Sequence, residues 1–359
     1  MSVPTPNSDV RVLVADDSAF MRTALTRMIE SDFSLHVVAT AQNGLEALEK
    51  ITRLQPDVVT LDIEMPGLNG LETLKRVMRD SPRPVIMVSS LTQEGANTTL
   101  EALSLGAFDY VPKRLSYISL DIVKVRDDLV TKIKAAARSR LYGLGQIRRA
   151  ESRPAPVAAT PYVGVPSVIA IGTSTGGPKA LQEVLPSLPQ DLPVGVLIVQ
   201  HMPPGFTGPF AKRLDGLCQV AVHEAEQGML VERGHVYIAQ AGKHMTVRRR
   251  LSSEVVLHVS TYPENTLHTP SVDVMMLSVA ETYRSLAMGV IMTGMGADGA
   301  LGMKAIFQAG GLTVGQDEAT CAVYGMPRSC AEMGILKRVV PLPDIPRQIL
   351  SALAYRKPH

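Results

Sequence analysis

Three short stretches of this chain carry residue types that together move a proton and make a covalent bond. In Ser167–Lys179 the apolar run Val168-Ile-Ala-Ile171 breaks into a turn of hydroxyls and glycines centred on Ser174. The spacing Gly172-x-Ser174-x-Gly176 fits a nucleophile elbow, which lifts a serine hydroxyl clear of a strand end beside the free N–H groups of a helix start. The same spacing fits a phosphate-cradling or merely tight strand-to-helix turn, although a Walker-type loop is disfavoured because Lys179 follows a proline. A second apolar run, Val194–Val199, ends in Gln200-His201-Met202-Pro203-Pro204, and a third, Met288–Met292, ends in Thr293-Gly-Met-Gly-Ala-Asp298-Gly299. A serine hydroxyl becomes a useful nucleophile when a neighbouring base takes its proton, and histidine titrates in the range to do so. Asp298 would then hold His201 in the right tautomer, and backbone N–H groups near Met295, kept accessible by its flanking glycines, would receive a developing oxyanion. Each residue also has a plainer reading. A strand-end histidine is often a hydrogen-bonded structural group, and Asp298-Gly299 fits a turn or a helix cap.

A second constellation lies in the first third of the chain. Asp16 and Asp17 follow the apolar Val10–Ala15, Asp62 follows Val58–Leu61, Ser89 follows Val85–Val88, and Lys113 follows Ala107–Val111. Three carboxylates held close repel one another unless a hard cation neutralises them, and magnesium, taking oxygen ligands and keeping some waters, suits them. Lys113 would pair with an anion.

The elements that must position these residues follow from the apolar periodicity. Residues 1–128 read as five strand-and-helix units, which implies a doubly wound parallel sheet with ligands at the carboxyl ends of its strands. From Leu129 to Arg149 the pattern is basic and partly amphipathic, so the last helix is expected to run on. Arg153-Pro-Ala-Pro-Val-Ala-Ala-Thr-Pro161 and Pro166 then preclude a regular helix, giving a helix extension and a semi-rigid linker over 129–166. Residues 167–359 alternate again, as a larger three-layer α/β domain with a hairpin-like insertion around His235–Ser260. If its sheet is parallel, Ser174, His201 and Asp298 share one edge.

Composition removes several function classes. The 36 basic and 34 acidic residues leave a net charge of +2, too small a field to attract nucleic acid. A DNA-binding output in the second half fits poorly, since that half is long and shows no helix-turn-helix pattern. Cys218, Cys321 and Cys330 lack metal spacing and suit reduced thiols in a cytoplasm. No leader pattern and no apolar run of membrane-crossing length is present, so the expectation is a cytoplasmic protein without membrane insertion. The absence of a coiled-coil pattern leans towards a monomer.

With these motifs in place, the first third closely resembles a response-regulator receiver domain, on Asp16-Asp17, Asp62 in Leu-Asp-Ile-Glu-Met-Pro-Gly, Ser89 in Met-Val-Ser-Ser and Lys113 in Tyr-Val-Pro-Lys. The resemblance implies that Asp62 takes a phosphoryl group from a chemotaxis histidine kinase, that Asp16 and Asp17 help Asp62 bind magnesium, that Ser89 and Lys113 contact phosphoryl oxygens, and that Tyr110 is the aromatic switch residue. One departure is Arg114 after the lysine, where the family usually has proline. The second half resembles the catalytic domain of the chemotaxis protein-glutamate methylesterases, on the segments around Ser174, His201 and Asp298 and on Ala322-Val-Tyr-Gly-Met-Pro-Arg328. That resemblance implies hydrolysis of glutamate γ-methyl esters on chemoreceptors, with deamidation of receptor glutamines in some members, no cofactor for the esterase step, and an unphosphorylated receiver that covers the active site.

Overall fold

In a computed structural model of the 359-residue chain, residues 9–113, 119–146 and 164–355 are described. The chain divides into two compact units. Residues 147–163, which hold most of the expected linker, and the Lys113–Arg114 junction fall outside the described residues.

The first unit runs β1 (Val10–Ala15), α1 (Ala19–Ile29), β2 (Leu35–Ala41), α2 (Gly44–Leu54), β3 (Val58–Asp62), α3 (Gly70–Asp80), β4 (Val85–Ser89), α4 (Gln93–Ser104), β5 (Asp109–Pro112) and α5 (Ser119–Gln146). Its five strands pair in parallel in the order β2-β1-β3-β4-β5. β3 and β4 are buried along their whole length, as continuous apolar runs between two helical layers must be. Short polar caps start the helices close to the strand ends: Ser18, Asn43, Asn69 and Thr92 each accept a backbone N–H from the first turn, worth about 1 kcal/mol apiece. α5 runs on to Gln146 and buries Leu129, Ile133 and Ala136, one stripe at helical spacing, in the core of this unit. The strand order reverses between β1 and β3, so the chain leaves Asp16 and Asp62 beside one crevice.

The second unit runs β6 (Val168–Thr173), α6 (Gly177–Val184), β7 (Gly195–Gln200), α7 (Thr207–Asp215), β8 (Ala221–Glu224), β9 (His235–Ile238), β10 (His244–Arg249), β11 (Val255–Ser260), α8 (Val272–Tyr283), β12 (Ala287–Ile291), α9 (Ala300–Gln308), β13 (Leu312–Gln316), α10 (Met326–Glu332), β14 (Arg338–Val340) and α11 (Ile345–Ala352). Seven strands form the sheet β14-β13-β12-β6-β7-β9-β8, parallel at every pairing. The expected hairpin is β10–β11, antiparallel over His244–Ser260. It starts later than the sequence suggests: β9 belongs to the main sheet, where Val236, Tyr237 and Ile238 are buried against β7 and β8. β6 lies at the centre, with β7 on one side and β12 on the other, and the order of connection reverses between β6 and β12. α8 packs so closely on β6 that a side chain at Gly172 would collide with Val272. No described helix is long and apolar enough to cross a membrane.

Candidate functional site

In the second unit the three central strands end together. Gly172 of β6 is in register with Val199 of β7 and with Ile291 of β12, so the residues that follow these strands emerge side by side. Ser174 is fixed by its backbone: its N–H donates to Thr293 O (3.0 Å) and its carbonyl accepts from Gly177 N–H (2.8 Å). His201 N–H donates to Thr173 O (3.2 Å), which holds the histidine beside the elbow. The Gln200 amide is buried and ties the two together, donating to both Ser174 O (3.0 Å) and His201 O (2.9 Å).

The elbow depends on glycine at two positions. Gly176 has φ +74° and caps α6, a conformation that a side chain resists. A Cβ at Gly177 would overlap the buried Gln200 Oε1 and Thr173 Oγ1. Gly177→Ala is therefore expected to lower stability by about 1–3 kcal/mol and to displace the Gln200 clamp, read as a lower midpoint of denaturant unfolding with an unchanged slope.

His201 and Asp298 meet directly, with His201 Nε2 2.8 Å from Asp298 Oδ2. Asp298 is also held by the start of α8. Its Oδ2 accepts from Val272 N–H (2.7 Å), and its Oδ1 accepts from Ser271 Oγ (2.8 Å) and Asp273 N–H (3.0 Å). Burial works to raise the Asp298 pKa, but the bond and charge of His201 and these backbone donors outweigh it and hold the carboxylate well below its usual range. Asp298 is therefore the acceptor, His201 Nε2 carries the hydrogen, and Nδ1 is left as the basic nitrogen. That Nδ1 is buried and has no hydrogen-bond partner among the described residues. Asp273 returns the favour to the next helix, accepting Gly302 N–H of α9 at 2.8 Å. Burial pushes the Asp273 carboxyl up. Two helix starts thus each hold a carboxylate from the neighbouring segment.

Met295 follows β12, one residue after Gly294, whose added Cβ would lie 2.9 Å from Ser174 Cβ. Gly294 is locked by N–H donation to Val323 O and by accepting from Gly325 and Met326 N–H. The segment Ala322–Arg328 thereby braces the loop that carries Met295.

Sequence reasoning singled out Ser174, His201, Asp298 and Met295, and all four lie on this edge. It missed Gln200, Ser271, Asp273 and His268, whose ring stacks on His201 with centroids 4.1 Å apart. Ser271 had a local signal, a serine ahead of an apolar helical run with an acid in the first turn. Gln200 and His268 had none, because their partners are distant in sequence or set by the fold.

In the first unit Asp16, Asp17 and Asp62 bring carboxylate oxygens within 4.8 Å of one another, with Asp16 and Asp62 buried and Asp17 exposed. Lys113 Nζ donates to Asp62 Oδ2 at 2.6 Å and stands 3.2 Å from Asp16 Oδ2. Asp16 Oδ2 nonetheless accepts no well-directed hydrogen bond among the described residues. Burial, reinforced by the charge of Asp16, pushes the Asp62 carboxyl up to about 6 in spite of Lys113. Three clustered carboxylates, two of them buried, a carboxyl whose ionised form burial disfavours and an all-oxygen donor set fit a hard divalent cation such as magnesium. Ser89 Oγ points elsewhere, its one hydrogen within reach of both Ser90 O (3.1 Å) and Gly95 O (3.3 Å) while it accepts from Thr99 Oγ1 (2.6 Å). Tyr110 is buried on β5, and Lys132 Nζ of α5 donates to its carbonyl at 2.8 Å.

Comparison with known proteins agrees with this division. Residues 169–349 match the family model described as CheB methylesterase, and residues 12–121 match the response regulator receiver domain. A protein-glutamate methylesterase/protein-glutamine glutaminase of Oleidesulfovibrio alaskensis is 48% identical over 96% of this chain and 99% of its own length. One of the same name from Pyrococcus horikoshii is 44% identical over 98% of this chain and 95% of its own. The crystal structure of the Thermotoga maritima CheB methylesterase catalytic domain is similar at a TM-score of 0.51 and 37% identity, covering 52% of this chain and 99% of that one. With a receiver ahead of the catalytic unit and relatives matching along almost their full length, this chain belongs to the CheB methylesterase family, enzymes of chemotaxis.

Proposed function

We propose that the chain hydrolyses glutamate γ-methyl esters on chemoreceptors by acyl transfer through Ser174, under the control of phosphorylation at Asp62. The observation that carries the esterase reading is the bond between His201 Nε2 and Asp298 Oδ2 at the ends of strands flanking β6, whose own end bears Ser174. His201 Nδ1 takes the Ser174 proton as Oγ attacks the ester carbonyl. The oxyanion rests against backbone N–H groups near Met295, and methanol leaves with the proton returned by His201. Water, activated by the same nitrogen, then adds to the acyl-serine, and the glutamate carboxylate departs as Ser174 recovers its proton. A receptor glutamine amide follows the same path with ammonia as leaving group. The substrate is a side chain on another protein's helical surface, and the reaction requires no cofactor.

The receiver supplies regulation. Magnesium, held by Asp16, Asp17 and Asp62, would neutralise charge as the phosphoryl group of a histidine kinase reaches Asp62. Lys113 is already on the Asp62 carboxylate and would follow the phosphoryl oxygens. Ser89 must turn from Ser90 O and Gly95 O to do the same, and Tyr110 would register the change on β5. Phosphorylation raises activity only if it favours an active arrangement over the inactive one. A chain truncated to begin at Ser167 is expected to be more active than the unphosphorylated full chain. Equal or lower activity would remove the inhibitory role.

Asp62 also sets a pH dependence. Its folded-state pKa, about 6, is raised above the ordinary value of 3.8. The ionised form therefore opposes folding, a cost absent below the unfolded pKa and complete above about pH 6 in the cation-free protein. Asp62→Asn is expected to abolish phosphorylation by acetyl phosphate and to stabilise the cation-free receiver unit at pH 8 by on the order of 2 kcal/mol. Native-chain magnesium affinity should fall as pH drops through about 6, where protons compete for the same oxygen, as measured by a fluorescence or calorimetric titration.

A further inference from the structure

The segment between β11 and α8, together with the first turn of α8, supports both partners of the His201–Asp298 pair. Ser271, Val272 and Asp273 hold the acid through its two oxygens. Three residues before Ser271, His268 lies against the base, its ring 4.1 Å from that of His201 between centroids and 19° from parallel. His201 itself is anchored at one ring edge by the bond from Nε2 to Asp298, while Nδ1 has no partner among the described residues. A ring with a single hydrogen bond can pivot about it, and in the mechanism proposed above a pivot would carry Nδ1 away from the Ser174 hydroxyl. A second flat ring on its face removes that freedom by dispersion contact. It also covers the ring, whose side chain is only 11% exposed, and keeps water from the hydrogen bond to Asp298.

From this stack we infer that His268 is a positioning residue of the esterase reaction, fixing the plane of His201 so that Nδ1 faces Ser174 and screening the His201–Asp298 bond from water. The inference rests on His201 acting as the base. It does not require His268 to touch the substrate or to carry a proton, so a flat, uncharged ring should replace it.

Two variants of the full chain, His268→Ala and His268→Phe, test the assignment with two readouts. The first is the low-field proton resonance of His201 Nε2–H in water, identified by its disappearance in His201→Gln. It should persist in the native chain and in His268→Phe and be lost to solvent exchange in His268→Ala. The second is methanol release, where His268→Ala should lower kcat about tenfold with KM unchanged and His268→Phe should recover it to within about twofold. An alanine variant that keeps both the resonance and the native kcat overturns the inference, and so does a phenylalanine variant no better than alanine. Should the alanine variant fail to fold, the phenylalanine variant still decides, since loss of its resonance or kcat contradicts a stacking role. If the native chain releases no methanol, the esterase reading fails, while the resonance comparison continues to test the stack.

Discussion

Ser174→Ala is expected to reduce methanol release from methylated receptors by about 10⁴-fold or more in kcat, with substrate affinity little changed. The alanine fits without strain, because the backbone of residue 174 is fixed by Thr293, Gly177 and Gln200 and its carbonyl and N–H bonds do not involve the hydroxyl. What is lost is the only atom that can form the acyl intermediate. His201 could still direct a water at the carbonyl, and the oxyanion donors would remain, so a small residual rate above the uncatalysed one is expected. The folded state should unfold at the native midpoint, which separates loss of chemistry from loss of structure.

The second large effect is expected at Asp298. Asp298→Asn keeps the shape but replaces one acceptor with an NH2 group in a site built entirely of donors: His201 Nε2–H, Ser271 Oγ–H and the N–H groups of Val272 and Asp273. Whichever way the amide turns, its NH2 faces at least one N–H. Turned towards His201, it also favours the tautomer with hydrogen on Nδ1, which cannot accept the Ser174 proton. A loss of about 10⁴-fold in kcat follows from the tautomer alone. The helix start loses a charged cap as well, and an unsatisfied buried donor costs about 1–3 kcal/mol. The pH dependence has a definite sign. The Asp298 pKa is depressed on folding, so its stabilisation is complete above the unfolded value near 3.8 and is lost only as pH falls through the lower folded value. The stability difference between the native chain and Asp298→Asn should therefore hold from neutral pH down to about pH 4 and shrink below it.

The positions of the chemistry-bearing residues were legible because each follows an apolar run that is buried on both faces. β6 and β7 are buried at every residue, and such runs end abruptly where the chain turns to polar groups. Ser174, His201, Asp298, Asp16 and Asp62 could thus be placed at strand ends, and a parallel sheet brings those ends to one edge. The order of strands was not legible in the same way. Nothing local shows that β9 joins β7, since pairing depends on partners 40 residues apart, and so the hairpin was drawn to begin at His235 instead of His244. Side-chain destinations were the other gap. Ser89 ends β4 as expected, yet its hydroxyl turns into the start of α4. The support of Asp298 by α8, the clamp formed by Gln200 and the stack of His268 all join segments that only tertiary packing makes neighbours.

The most direct test of the account is methanol release from methyl-labelled receptor membranes by the full chain, with and without acetyl phosphate and magnesium, beside Ser174→Ala and Asp62→Asn. The account predicts phosphodonor-stimulated release by the native chain, release by Asp62→Asn that the phosphodonor does not change, and release by Ser174→Ala reduced by about 10⁴-fold or more. Release by Ser174→Ala at the native rate would contradict it, because an acyl-serine mechanism has no route without that hydroxyl.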